Sequence, residues 1–222
     1  MVDALTSRSG MHRRPTTGEE LNDGTPTIPR QSASLILLRD ADPGFEVLLV
    51  RRSPAQRFMG GYWVFPGGAV DPHEGEGEAA HRAAAVRELH EEAGIGGVDP
   101  AELVRYSRWI TPELLKIRFD THFFLARAPA DAIARCDGRE CVAERWASPA
   151  TLVADCDRGE LELAFPTLRH LEQLSAFASA DGLLEHAATH DVSPVLPRVL
   201  HSGEIARLVL PGEPGYGPAG VV

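Results

Sequence analysis

Glu88, Glu91 and Glu92 stand at i, i+3 and i+4 in the run Arg87-Glu88-Leu89-His90-Glu91-Glu92-Ala93-Gly94-Ile95. On a helix these positions share one face, so three carboxylates are drawn together. Like charges at that spacing repel, and one Arg87 cannot neutralise all three. A hard divalent cation can, because Mg²⁺ prefers carboxylate oxygens completed by waters and a substrate phosphate. The competing reading is a solvated acidic helix face. The surroundings favour the cation: upstream lies Phe65-Pro66-Gly67-Gly68, whose paired glycines let backbone approach a metal or phosphate closely. Downstream, Gly94 is the residue type that ends a helix.

The elements that must position these groups follow from patterning. ASLILLR (33–39) is a buried-strand pattern, DADPG a turn and FEVLLVRR (45–52) a second strand, together a β-hairpin. The Gly- and aromatic-rich stretch from Ser53 to Asp71 is a loop feeding short strands. The alanine-rich run Glu78 to Ala93 is the helix that carries the acids. RYSRWITP and RFDTHFFLARA form a second hairpin around Pro112 to Lys116, and ECVAERWAS is a further strand. Ser148 and Pro149 open a short helix as N-cap and first helical residue. PTLRHLEQLSAFAS is an amphipathic helix, and its face of Leu168, Leu171, Leu174 and Phe177 must be buried in this chain or against a partner. GLLEHAATHD is a candidate third helix of this group, and a strand-containing tail ends the chain. This order fits an α/β class with a mixed sheet and helices on its faces. Residues 1–31, rich in Thr, Ser, Pro, Gly and charge, are expected to be a flexible tail. Residues 32–222 are then one domain, with a helical extension from about 149.

Composition narrows the functions. The 22 Lys and Arg against 32 Asp and Glu give a net charge of −10, and Lys116 is the only lysine. Such a chain carries no broad basic face, so a nucleic-acid partner is not expected. Cys136, Cys141 and Cys156 are an odd count without a CxxC pair, which suggests neither a disulfide framework nor a zinc site. Apolar runs are too short to span a bilayer, and the first residues lack the apolar segment of a signal peptide. A cytoplasmic protein without a membrane partner is the expectation. No G-x-S-x-G elbow is present for a nucleophilic serine.

The sequence resembles the Nudix hydrolases, whose signature is G-x5-E-x7-R-E-U-x-E-E-x-G-U with U aliphatic. Arg87 to Ile95 match its second half in full, and Gly68 and Glu74 match the first. Twelve residues rather than seven separate Glu74 from Arg87, which leaves the role of Glu74 open. The resemblance implies a mixed sheet sandwiched between helices and an Mg²⁺- or Mn²⁺-dependent pyrophosphohydrolase. It implies Glu88 and Glu92 as principal metal ligands, Glu91 in support, the Gly68 carbonyl as a further ligand and Arg87 as the group that orients the glutamates. Glu140, six residues before Trp146, matches a catalytic Glu of mutator-type members, with Glu144 as competitor. The general base is Glu140, Glu144 or a glutamate of the signature.

Over residues 33–175 the chain is also similar to the peroxisomal-type coenzyme A diphosphatases of that superfamily, in LLVRRSPAQRFMGGYWVFPGGAVD, RFDTHFFLA and ERWASP. That likeness implies a small-molecule nucleotide partner, CoA or acyl-CoA, cleaved to 3′,5′-ADP and 4′-phosphopantetheine. Arg51, Arg52 and Arg57 are candidate phosphate contacts, and Tyr62 and Phe65 candidate substrate-binding aromatics. NADH, ADP-ribose or another dinucleotide is the alternative substrate, and a nucleotide-sensing module without catalysis the alternative of another class. Oxidised nucleoside triphosphates are disfavoured by the inserted loop and the extra helices. His73, His81 and His90 are expected on the surface. A homodimer is a possible partner state.

Overall fold

The computed structural model describes residues 21–22, 24–202 and 205–216. The strands are β1 (Arg30–Asp40), β2 (Phe45–Arg52), β3 (Trp63–Val64), β4 (Gly67–Ala69), β5 (Val104–Ile110), β6 (Phe119–Arg127), β7 (Cys141–Ala147), β8 (Pro194–Val195), β9 (Arg198–Ser202) and β10 (Ile205–Val209). The helices are α1 (Gly77–Ala93), α2 (Pro149–Asp157), α3 (Phe165–Leu174) and α4 (Ala180–Thr189). The main sheet runs β3-β2-β1-β6-β5-β8, with β4 added to β1 and β7 to β2. β1 pairs in parallel with β6 and antiparallel with β2 and β4, so the sheet is mixed. Both expected hairpins are present, β1–β2 and β5–β6.

β1 sits in the middle because its side chains are apolar on both faces. Leu35 and Leu37 pack with Leu89, Ala84 and Ala85 of α1, while Ile36 and Leu38 pack with Leu152, Leu171 and Leu183 of α2, α3 and α4. A strand with period-2 side chains and helices on both sides must read as a continuous apolar run. Half of the buried residues of α1 are alanine (Ala80, Ala84, Ala85 and Ala93), which brings that helix close to the sheet. Gly94 ends it at φ 68°, its N–H donating to His90 O at 2.9 Å.

Some elements differ from the expectation. Residues 1–20 lie outside the described residues, but the ordered chain does not wait for Ala33: β1 starts at Arg30. Before it, Thr27 Oγ1 donates to Lys116 O at 2.8 Å, and Leu21 bridges to Leu115. Long-range backbone pairing, invisible in composition, orders that stretch. The helix expected over 166–179 ends at Leu174, because Ser179 accepts from Gly182 N and caps α4 as a separate helix. Its apolar face is covered within the chain: Leu171 and Leu174 are fully buried, and Leu168 and Phe177 pack against the same cluster. That face supplies no argument for a dimer. Ser148 accepts from Thr151 N as the N-cap of α2, with Pro149 following. Among the described residues no helix is long and apolar enough to cross a membrane.

Leu171, with no exposed surface, joins α3 to the sheet. Leu171→Ala is expected to lower unfolding free energy by about 2–5 kcal/mol, read from urea denaturation midpoints.

Candidate active site

Gly67 and Gly68 on β4 pair with Ser34 and Ala33 of β1, which presses the glycine turn against the last two turns of α1. A Cβ on Gly67 would collide with the backbone of Ala33 and Ser34, and one on Gly68 would meet the Glu88 carboxylate and force it to turn away. This approach with Glu88 in place therefore needs both glycines. The Gly67 N–H donates to Glu92 Oε2 at 3.0 Å. Glu88 and Glu92, one helical turn apart, therefore point the same way, under the backbone of the turn.

Arg87 holds the acids in place. Its Nε donates to Glu74 Oε1 at 3.0 Å, its Nη1 to Glu88 Oε1 and Glu91 Oε2 at 2.8 Å each, and its Nη2 to Ala69 O at 2.9 Å. Glu74 keeps its place despite the longer loop. A 3₁₀ turn over Pro72–Glu74 carries it, and its Oε2 accepts from Asp71 N at 2.7 Å. The extra residues are absorbed after Glu74, in Gly75–Glu76 and the first turns of α1. Arg87 and the Asp71 backbone hold the Glu74 carboxyl below its ordinary range even though burial pushes the other way.

The three signature glutamates do not share one environment. The Glu92 side chain is 2% exposed and that of Glu91 is 55% exposed. Glu91 leans out to Arg87 and does not face the cavity described below. Glu88 and Glu92 do. Burial raises the pKa of both, against the pull of Arg87 on Glu88 and of the Gly67 amide and Arg52 on Glu92, which is pushed up to about 7. Arg52 Nη1 stands 3.6 Å from Glu92 Oε1. Two buried carboxylates that resist ionisation are a donor set that a divalent cation would relieve. Among the described residues no three His, Cys, Asp or Glu side chains form a ready-made metal cage. Two carboxylates and the Gly68 carbonyl, completed by waters and phosphate, suit Mg²⁺ or Mn²⁺, which seldom needs an all-protein cage.

A cavity of about 460 Å³ opens over this pair. Its acidic side is Glu88, Glu92 and Glu140, beside Gly67, Gly68 and Arg52. Of the other candidates, Tyr62 and Phe65 line it, whereas Arg51, Arg57, Arg87, Glu91 and Glu144 do not. Arg51 Nε donates to Gly61 O, and Arg52 Nε to Phe58 O, at 3.2 Å each. Glu140 is exposed, and its charge opposes ionisation of Glu88. Glu144 instead accepts from Cys136 N at 3.2 Å. Phe65 belongs to the core as well as to the cavity wall.

Three cavity residues were missed in the sequence, and one histidine was misread. Arg30, Trp109 and Phe165 also line the cavity, and nothing in their local patterns sets them apart from ordinary strand and helix residues. His81 is buried, not exposed: Nδ1 bonds Gly77 O at 2.7 Å, Nε2 bonds Gln31 Oε1 at 2.9 Å, and the ring lies 4.0 Å from that of His122. His73 and His90 are exposed as expected.

The NUDIX domain family model matches residues 29–168. Among curated proteins, the chain is 28% identical over 181 residues to a Caenorhabditis elegans protein named "Putative nudix hydrolase 7", covering 66% of this chain and 60% of that one. It is 33% identical over 122 residues to a Bacillus subtilis protein named "Putative 8-oxo-dGTP diphosphatase", covering 55% of this chain and 68% of that one. The chain thus spans less than two thirds of the length of the first of these relatives and just over two thirds of the second. Among solved structures, a NUDIX hydrolase from Alicyclobacillus acidocaldarius superposes with a TM-score of 0.65 at 26% identity, over 74% of this chain and 99% of that one.

The raised Glu92 pKa has a consequence for stability with a defined sign. A carboxyl whose folded pKa lies above its ordinary 4.5 costs nothing while protonated in both states. Without divalent metal, stability therefore falls as pH rises from 4.5 to about 7 and is level above, a loss of about 3 kcal/mol from this group. Thermal midpoints in EDTA are expected to show this decline in the native chain and to show a smaller one in Glu92→Gln, where Glu88 alone keeps a raised pKa. Mg²⁺ is expected to restore the native chain most strongly at or above pH 7.

Proposed function

The chain belongs to the Nudix family, and from that premise we propose that it is a metal-dependent pyrophosphohydrolase acting on CoA or acyl-CoA. Water cleaves the pyrophosphate, giving 3′,5′-ADP and the (acyl-)4′-phosphopantetheine. The observation that carries the reading is the buried Glu88–Glu92 pair beneath the Gly67–Gly68 turn, at the acidic side of a cavity whose far side is lined by apolar residues.

Each residue has a part in this reading. Glu88, Glu92 and the Gly68 carbonyl would hold Mg²⁺ or Mn²⁺. When bound, that ion supplies charge for the phosphoryl oxygens and lowers the pKa of a coordinated water. Arg87 fixes Glu88 in its rotamer through a charge-assisted hydrogen bond, with Glu74 and Glu91 completing its own set, while the Gly67 amide and Arg52 hold Glu92. Arg52, the one candidate arginine inside the cavity, meets a phosphate oxygen. Glu140 takes the water proton, because it faces the same cavity as Glu88 while Glu144 is turned to the Cys136 amide. Arg51 and Arg57 lie outside the lining and are left for the part of the ligand that projects from it. All the acids of the signature are present, which favours catalysis over sensing.

A second substrate, 8-oxo-dGTP, is brought in by the name of the Bacillus subtilis relative. The extended apolar wall favours CoA over it, since a nucleoside triphosphate has no apolar arm to lay there.

The test is product analysis by ion-pair chromatography with Mg²⁺, supplying CoA, NADH, ADP-ribose and 8-oxo-dGTP in parallel. 3′,5′-ADP from CoA at the highest kcat/KM is expected, with activity lost in EDTA. Preference for another member of the panel overturns the CoA assignment, and metal-independent cleavage overturns the mechanism. Glu140→Gln is expected to lower kcat about 10²- to 10⁴-fold and Glu144→Gln to leave it near the native value. The reverse ranking would move the base to Glu144.

A further inference from the structure

The cavity does not stop at the segment shared with the family. From Gly67 and Gly68 on β4 it crosses Ser32 and Ser34 of β1, Thr121 of β6 and Trp109 of β5. β8 comes next in the sheet, and Pro197 and Val199, which follow it in the chain, line the cavity together with Leu208. Four strand spacings of about 4.8 Å put β8 on the order of 19 Å from Gly68.

The wall changes character along this path. Near the acids the floor carries hydroxyls, already paired to one another or to backbone: Ser32 Oγ lies 2.6 Å from Thr121 Oγ1, and Ser34 Oγ donates to Pro66 O at 2.9 Å. Past β6 it becomes Trp109, Ile110 and Phe165. Val199 and Leu208 stand directly opposite each other across the β9–β10 hairpin, so they present one apolar patch. Both lie more than 30 residues beyond the family match, which ends at residue 168.

We infer that the β9–β10 hairpin is a specificity element, seating an acyl group carried on the thiol of the substrate and making the enzyme prefer acylated over free CoA. The inference rests on the CoA reading above. A pantetheine arm is about twelve backbone bonds long, the length of four extended residues, or about 14 Å. With the pyrophosphate at Glu88 and Glu92, the thiol falls over β5, three strand spacings away. A group attached to it continues toward Val199 and Leu208. Each methylene buried there is worth roughly two- to fourfold in kcat/KM.

The experiment is a series of kcat/KM values for CoA and its acetyl, butanoyl, hexanoyl and octanoyl thioesters, with the full chain and Mg²⁺. A rise of at least about tenfold from CoA to octanoyl-CoA is expected. Leu208→Asp flattens the series to within about threefold, and Leu208→Phe, which keeps the apolar character, moves the optimum to a shorter chain. A flat native series, a slope retained in Leu208→Asp, or an optimum unmoved in Leu208→Phe overturns the inference. Should Leu208→Asp fail to fold, Leu208→Phe decides alone. Cleavage of ADP-ribose or 8-oxo-dGTP with none of any thioester removes the CoA reading itself, and the inference with it. Cleavage of every thioester at one rate removes the inference only.

Discussion

Arg87 sits where four acceptors converge from three parts of the chain: Glu74 from the 3₁₀ turn, Ala69 from β4, and Glu88 and Glu91 from α1 itself. Remove that guanidinium and Glu74 and Glu88 are left as carboxylates facing one another's elements without a cation between them. A buried charge that loses its partner costs several kcal/mol, far more than the pair contributes at the surface. The site therefore depends on one residue that does not itself reach the cavity. Lysine would not replace it, because a single ammonium cannot donate in a plane to four acceptors.

The second constraint is steric. Glu88 and Glu92 face the cavity because Gly67 and Gly68 have no side chains and the underside of α1 is rich in alanine. Helix and turn close on each other, and the carboxylates are desolvated as a result. Their raised pKa values are the electrostatic record of that closeness. Geometry that is unfavourable for two anions alone is favourable for two anions and a hard divalent ion. Stability of the chain by itself and readiness to bind the ion are thus opposed.

Much of this was legible in the residues. The acid run, its helix and both hairpins follow from spacing and period, and the continuous apolar run of β1 signalled a strand buried on both faces. Helical spacing put Glu88, Glu91 and Glu92 on one face but gives direction, not depth: Glu88 and Glu92 are buried, and Arg87 draws Glu91 outward. The longer loop put Glu74 in question, yet it inserts after Glu74 and spares the pairing. Glu140 and Glu144, both exposed and four residues apart, have the same strand parity, and the irregularity of β7 opposite Arg51 and Arg52 that lies between them is not visible in the spacing. His81 was misjudged since its partners, Gln31 and His122, are distant in sequence. The cavity lining is beyond local patterning altogether: residues as far apart in sequence as Arg30 and Leu208 line one cavity only after the chain has folded.

The central claim, that Glu88, Glu92 and the Gly68 carbonyl are the seat of a divalent ion, is tested most directly by anomalous diffraction from crystals soaked in Mn²⁺. The account predicts a peak within about 2.3 Å of a carboxylate oxygen of each glutamate and of Gly68 O. A fully occupied peak at Glu91 or Asp71, with Glu88 and Glu92 still turned to Arg87 and the Gly67 amide, would contradict it.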